Sequence, residues 1–250
     1  MAWKIENLSK ATPKLKNPIL IEGLPGIGNV GKVAADFIIS ELNAKKLFSF
    51  TSYSMPNSVF VNEHNLVELP SIELYYTKLK NGNDLLLLAG DVQPTTEEAS
   101  YEFCEKLLDI VQTLKCKEIV TLGGIGLQAI PKVPKVYCTG NSKKIIEKYK
   151  KGTVLNNKLY GVVGPIIGAS GLLVGLSKKR KIEAIAMLAE TLGHPMYLGI
   201  KGAKEILKIL NKKLSLGIDL KELEKDIKDV EEEILKRTDE LSKVSKKSKK

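Results

Sequence analysis

Short apolar runs alternate with longer amphipathic stretches from residue 18 to residue 214, and this alternation constrains the fold more than any other feature. "PILIEGLP" (18–25), "DLLLLAGD" (84–91), "KEIVTLGGIG" (117–126) and "KIEAIAMLAETLG" (181–193) read as strands. Their near-continuous apolar character suits strands covered on both faces. Between them, "NVGKVAADFIISEL" (29–42), residues 94–115, 141–152, a stretch from Ala169 and residues 197–214 carry apolar residues at helical spacing. Thr95 or Thr96 can cap the second of these helices. "KLFSFTSYS" (46–54) is strand-like, 55–65 reads as a loop with room for a short strand inside, and "SIELYYTKLK" with "NGN" and the 84–91 run forms a hairpin. The fold class expected is α/β: a mainly parallel, mixed sheet flanked by helices, a phosphorylase- or hydrolase-like sandwich.

The helical periodicity does not stop at 214. Leu216, Leu220, Leu223, Ile227, Val230 and Ile234 step by 4, 3, 4, 3 and 4, and Leu241 adds a heptad. That is an amphipathic helix with a coiled-coil seam, usable on its own domain or between subunits. The expected organisation is an α/β domain at 1–214, a heptad helix at 215–241 and a lysine-rich disordered tail at 242–250.

The net charge of +10 suggests nucleic acid until it is located. Lys243, Lys246, Lys247, Lys249 and Lys250 place half of it in the last ten residues. "SKKRK" (177–181) reads as a solvated helix end, and Arg180 and Arg237 are the chain's arginines, too few for a specific reader of bases. No apolar run reaches the ~18 residues of a membrane span, and the first residues lack the apolar core of a secretory signal. The expectation is a cytoplasmic protein with no membrane or nucleic-acid partner. Cys104, Cys116 and Cys138 are widely spaced, which argues for buried thiols rather than disulfides or zinc. His64 and His194 have no partner pattern, and no metal site is expected.

"GLPGIGNVGKV" (23–33) is the sharpest candidate site. Gly26, Gly28 and Gly31 form G-x-G-x-x-G, and Gly26, Gly31 and Lys32 form a P-loop lacking its last hydroxyl. The dinucleotide reading needs an acid at the end of the next strand, where Ser52, Ser54 and Asn57 stand instead. The P-loop reading has Asp91 after an apolar strand, but Val33 replaces the magnesium-binding Ser or Thr. A third use needs no ligand: Gly26 and Gly28 adopt positive φ in a sharp turn, and Gly31 lets the helix approach the sheet. Gly123, Gly124, Gly168 and Gly171 suggest further structural turns. Glu22, Asp91 and Glu190 fall at strand ends, and "GASGL" (168–172) is one residue short of a nucleophile elbow. On residues alone, an enzyme or sensor of a nucleoside or other small phosphorylated ligand, held at Gly26, Gly28, Gly31 and Lys32, stays open beside the packing reading.

"EGLPGIGNVGKVAADFI", "LGGIG", "GPIIGASGLLVGL" and "EAIAMLAETLGHP", in that order, resemble the archaeal and bacterial relatives of the proteasome assembly chaperones. The resemblance implies a sandwich similar to the nucleoside-phosphorylase fold with no established catalytic centre, homo-oligomers, and the proteasome core particle or its α-subunits as partner; no cofactor is expected. It implies that the glycines build a turn under a helix rather than grip a nucleotide. The family's docking signature is a terminal hydrophobe, Tyr and any residue. This chain has Ser248 and Lys249 at those positions. The expectation is therefore an archaeal, non-enzymatic assembly chaperone or adaptor rather than a gate-opening activator.

Overall fold

The computed structural model describes residues 3–80, 82–194, 197–221, 223–225 and 227. The chain divides into two compact units, residues 1–218 and 219–250.

The first unit is built on an eight-stranded sheet of order β1-β3-β6-β7-β2-β8-β10-β9. Its centre is β2 (Ile19–Gly23), β7 (Leu85–Gly90), β8 (Glu118–Leu127) and β10 (Glu183–Leu192), all parallel. β1 (Lys4–Asn7), β3 (Lys45–Thr51) and β6 (Ile72–Thr77) extend one side antiparallel, and β9 (Val136–Gly140) closes the other. A separate small ribbon pairs β4 (Phe60–Val61) with β5 (Val67–Glu68).

Strand alternation sends Leu20, Leu86, Leu88 and Ile119 into one core with Phe103, Leu107 and Leu108 of α2 (Glu97–Thr113) and Leu173 of α4 (Ala169–Ser177). Ile19, Ile21, Leu85 and Leu87 point the other way and are equally buried. On that face lie α1 (Val30–Glu41) and α5 (Ile200–Leu214), packed together. α3 (Lys143–Lys150) covers β9 and β10. Thr96 caps α2 as its sequence suggests, its hydroxyl accepting the Ala99 amide at 3.2 Å. The result is a helix–sheet–helix sandwich, as the alternation implies.

Three local readings need correction. β1 is absent from the sequence reading. It is an edge strand of four residues, held by β3 and by Trp3, whose ring lies 4.8 Å from Phe103 and whose indole nitrogen donates to the Ala99 carbonyl at 3.2 Å. Trp3→Ala is expected to cost about 3 kcal/mol, read as a lower urea midpoint, because a buried ring and its hydrogen bond are lost together. Gly123 and Gly124 do not form a turn, since β8 runs through them to Leu127. Leu216 does not begin the heptad helix. Ser215 (φ 54°) and Gly217 (φ 71°) are both left-handed, α5 ends at Leu214, and residues 216–220 are not helical.

In the second unit, Lys221, Leu223 to Lys225 and Ile227 are helical, and Leu223 is buried. Val230, Ile234, Leu241 and the lysines at 243, 246, 247, 249 and 250 lie outside the described residues.

Candidate functional site

The four parallel strands end on one edge of the sheet, and the glycine loop sits there. β2 stops at Gly23, residues 27–29 make one 3-10 turn, and α1 starts at Val30. A Cβ on Gly23 would lie 2.1 Å from the Gly31 carbonyl oxygen, and one on Gly31 would lie 2.4 Å from that of Leu122. A Cβ on Gly124 would lie 2.2 Å from the Ile27 oxygen, so β8 carries glycine beneath the turn for room rather than for bending. Gly28 has φ 61° and faces the Thr191 side chain, while its carbonyl accepts the Gly199 amide at 2.7 Å. Gly26 does not follow the expected pattern. Its φ of −160° is extended backbone open to any residue, and a Cβ there would meet nothing within 4 Å. The left-handed residue beside Gly28 is instead Asn29, at φ 50°.

Lys32, the candidate phosphate ligand, is engaged within the protein. Its ammonium donates to the Gly90 carbonyl at 3.0 Å, pairs with Asp36 at 3.0 Å and stands 3.7 Å from Asp91. Asp91, the candidate metal-holding acid, also accepts the Ser71 amide at 3.0 Å and hydroxyl at 2.9 Å. The two residues a P-loop would turn toward a nucleotide thus belong to one ion-pair network tying α1 to β7.

The second glycine turn meets the first through Gln93. Its Nε2 donates to the Pro25 carbonyl at 2.7 Å, and its Oε1 accepts the Ala169 amide at 3.4 Å. Gly168 (φ 85°) caps α4, and a Cβ there would lie 2.4 Å from the Gln93 Oε1. A Cβ on Gly171 would lie 2.0 Å from the Ile166 oxygen. Beneath both turns is Glu22, fully buried as the penultimate residue of β2. Its Oε1 accepts the Leu24 amide at 3.0 Å, while Oε2 has no hydrogen bond of ordinary geometry. Burial pushes its carboxyl up to about 7, against the pull of the Leu24 amide and the Ser170 hydroxyl.

The strand-end acids do not converge on one reactive point. Glu22 serves the Leu24 amide, Asp91 serves Lys32 and Ser71, and Glu190 accepts the Lys135 amide at 3.0 Å and the Tyr137 hydroxyl at 3.3 Å. All three cysteines are buried and free, and burial raises each thiol away from reactivity. His64 is exposed, 3.5 Å from Glu63. Among the described residues no group of acids, histidines and cysteines could hold a metal ion, and no helix is long and apolar enough to cross a membrane.

What the surface offers is open grooves of mixed polarity. A groove of about 500 Å³ lies between Tyr53, Ser54 and Met55 and the start of α2, with Glu97, Glu98 and Glu102 on its wall. A second, of about 420 Å³, lies between Thr139 of β9, the 159–166 loop and α4. Tyr53 in the first and Tyr160 in the second are almost fully exposed, more open than residues of a small-molecule pocket. The sequence reading reached the glycines and Lys32 but missed Gln93, Thr191 and Gly199. No local pattern marks them, because each acts on a turn distant in sequence.

The glycine turns and the covered sheet describe a fold, and comparison with known proteins assigns it. A sequence profile of the PAC2 family matches residues 20–237. The chain belongs to the PAC2 family. Among solved PAC2-like structures, Pyrococcus furiosus PbaB, described as an archaeal proteasome activator, is 35% identical with a TM-score of 0.86, over 95% of this chain and 99% of PbaB. An uncharacterized Methanocaldococcus jannaschii protein, MJ1210, is 30% identical over 89% of this chain and 83% of its own length. Mouse proteasome assembly chaperone 2 is 32% identical over 118 residues, 45% of this chain and 44% of the mouse protein.

Proposed function

We propose that this PAC2 protein is a non-enzymatic homo-oligomer that binds the proteasome core particle or its α-subunits in the cytoplasm, as an assembly chaperone or adaptor. The observation that carries the reading is the end-to-end likeness to PbaB, 35% identical over 95% of the chain. The geometry supports it. Lys32 is engaged by Asp36, Asp91 and the Gly90 carbonyl, and Gly23 and Gly31 pack against backbone. The open grooves, with Tyr53 and Tyr160 exposed at them, suit a protein partner.

The test is to mix the protein with separately expressed α-subunits of its own organism and measure native masses by light scattering at low and moderate salt. A stoichiometric complex is expected. No complex, alongside a PAC2 protein that does bind, overturns the reading. A weaker complex at moderate salt would show a charged contribution.

A second reading, gate opening, is favoured by the description of PbaB as an activator. It predicts a several-fold rise in hydrolysis of a fluorogenic peptide when the protein is added to purified core particle. An unchanged rate with a formed complex supports the assembly or adaptor role.

A further inference from the structure

The parallel strands have a second end, opposite the glycine turns, and lysines collect there. β8 begins at Glu118, level with Ile19 of β2 and Glu183 of β10. Lys117 and Lys181 stand just before β8 and β10, and both are exposed. The ends of α3 and α5 bring four more. Lys148 of α3 reaches Glu118 at 2.5 Å, which fixes that end of α3 at this edge. Lys213, in the last turn of α5, donates its ammonium to the Lys148 carbonyl at 2.7 Å and to the Lys151 carbonyl. Lys151 and Lys212 are exposed beside them.

The carboxylates of this edge are engaged within the fold. Asp84, buried before β7, accepts the Lys16 amide at 2.6 Å and the Leu79 amide at 3.2 Å. Glu118, also buried, is shared between Lys148 and the Tyr149 hydroxyl. Glu183 accepts the Ser142 hydroxyl at 2.5 Å. Among the described residues, Lys117, Lys151, Lys181 and Lys212 form no ion pair. Lys213 meets carbonyl oxygens rather than a carboxylate, and partial burial together with the charges of Lys212, Lys148 and Lys151 holds its ammonium below the usual lysine range. Attraction to the carbonyl end of a helix accounts for Lys213 against α3. It does not account for Lys117 and Lys181, which lie ahead of strands. Like charges gathered in this way oppose folding, and a feature that works against the fold points to a partner that completes it.

We propose that this lysine edge docks an acidic, Asp/Glu-rich segment of a protein partner. The charge selects an anion, and the side-chain chemistry selects carboxylates over nucleic acid. Bases are read by arginine forks, and single strands are held by stacking on aromatic rings. Arg180, the one arginine among the described residues, is held by Glu105 and Asp109. The exposed aromatic residues Tyr53, Phe60, Tyr101 and Tyr160 belong to other segments. Lysine ammoniums on flexible stems are point charges that can follow the carboxylates of a peptide. The inference rests on the proposed function for the identity of the partner, the proteasome α-subunits. It adds the surface used and the chemistry of the contact.

The experiment measures fluorescence anisotropy of a labelled oligoglutamate, and of a single-stranded oligonucleotide of equal charge, at low and moderate salt. Each is titrated with the full chain, with Lys151→Glu/Lys212→Glu and with Lys151→Arg/Lys212→Arg. The full chain and the arginine variant are expected to bind oligoglutamate, with affinity falling as salt rises. The charge-reversed variant is expected to bind at least about tenfold more weakly. Its Tm should hold or rise, since the new carboxylates fall among lysines, so loss of fold does not explain the loss of binding. Unchanged affinity in the charge-reversed variant overturns the proposal, as does the absence of oligoglutamate binding by the full chain at low salt. Tighter binding of the oligonucleotide than of oligoglutamate overturns it in favour of nucleic acid. A charge-reversed variant that forms the α-subunit complex undiminished also overturns it. A full chain that forms no α-subunit complex, with the oligoglutamate results as expected, overturns only the proposed function.

Discussion

Gly23→Ala is expected to destabilise the protein by about 3 kcal/mol, while Gly26→Ala, three residues on, changes stability by no more than about 0.5 kcal/mol. Denaturant midpoints of the two variants measure the contrast. The new methyl group at 23 would sit 2.1 Å from the Gly31 oxygen and 2.6 Å from the Ala35 Cβ. Neither neighbour is a flexible chain end, so β2 or α1 must shift as a body. Gly31→Ala meets the Leu122 oxygen at 2.4 Å. It recovers roughly 1 kcal/mol of helix propensity, so its net loss is smaller, about 2 kcal/mol. Gly23 and Gly31 face one another, so the double variant should lose less than the sum of the two. A phosphate cradle would give the opposite ranking in a ligand-binding assay, with Gly26 sensitive and Gly23 indifferent. Equal effects at 23 and 26 would overturn the packing account of the loop.

Glu22→Gln is expected to stabilise the protein at pH 8 and to leave it unchanged below about pH 4.5. In the folded protein the carboxyl is raised from 4.5 to about 7 by burial. The folded state therefore holds its proton over a range where the unfolded chain has released it. Stability is greatest below the unfolded value, falls as pH rises from 4.5 to 7, and levels off above. The full loss is about 3 kcal/mol, equivalent to a Tm change of roughly 6–12 °C for a chain of this size. Glutamine keeps an oxygen for the Leu24 amide, so the hydrogen bond survives and only the ionisation is removed. Melts of both proteins at half-unit steps from pH 4.5 to 8.5 should diverge steadily up to pH 7. Parallel curves would mean that Glu22 is not the group whose burial sets the slope.

How much was legible in the sequence follows from how far each residue's partner lies along the chain. The 3.6-residue period of α1 and α2, the apolar runs of β2 and β7, and the Thr96 cap depend on neighbours a few residues away, and all were readable. β1 was not, because Trp3 finds its partners in α2, with Ala99 96 residues on. The Gly123–Gly124 pair reads as a turn by composition. In the fold it is a flat place on β8, made for the Ile27 carbonyl. The heptad spacing at Leu216 and Leu220 is genuine in sequence, yet left-handed Ser215 and Gly217 break the helix there. At the candidate site the glycine loop was visible as a turn. Its physical role was not, because Thr191, Gly199 and Gln93 reach it from distant segments. Lys32 shows the limit most clearly. Its spacing fits a phosphate ligand, and only the positions of Asp36 and Asp91 reveal that its charge is already engaged.

The strand order has a consequence for synthesis on the ribosome. β2 occupies the middle of the sheet, but its partners begin at Leu85 and Glu118, so its two edges are filled long after Ile19 has been made. At cellular elongation rates the roughly 100 residues from Ile19 to Glu118 take about 5–20 s to appear. Until β7 and then β8 arrive, "ILIEG" has an unpaired edge open to aberrant pairing between nascent chains. The first segment able to cover it is the β6–β7 hairpin, whose strands are near neighbours in sequence and which presents β7 to β2 on arrival. The local hairpin thus shields the slow, long-range centre of the sheet until β8 completes it.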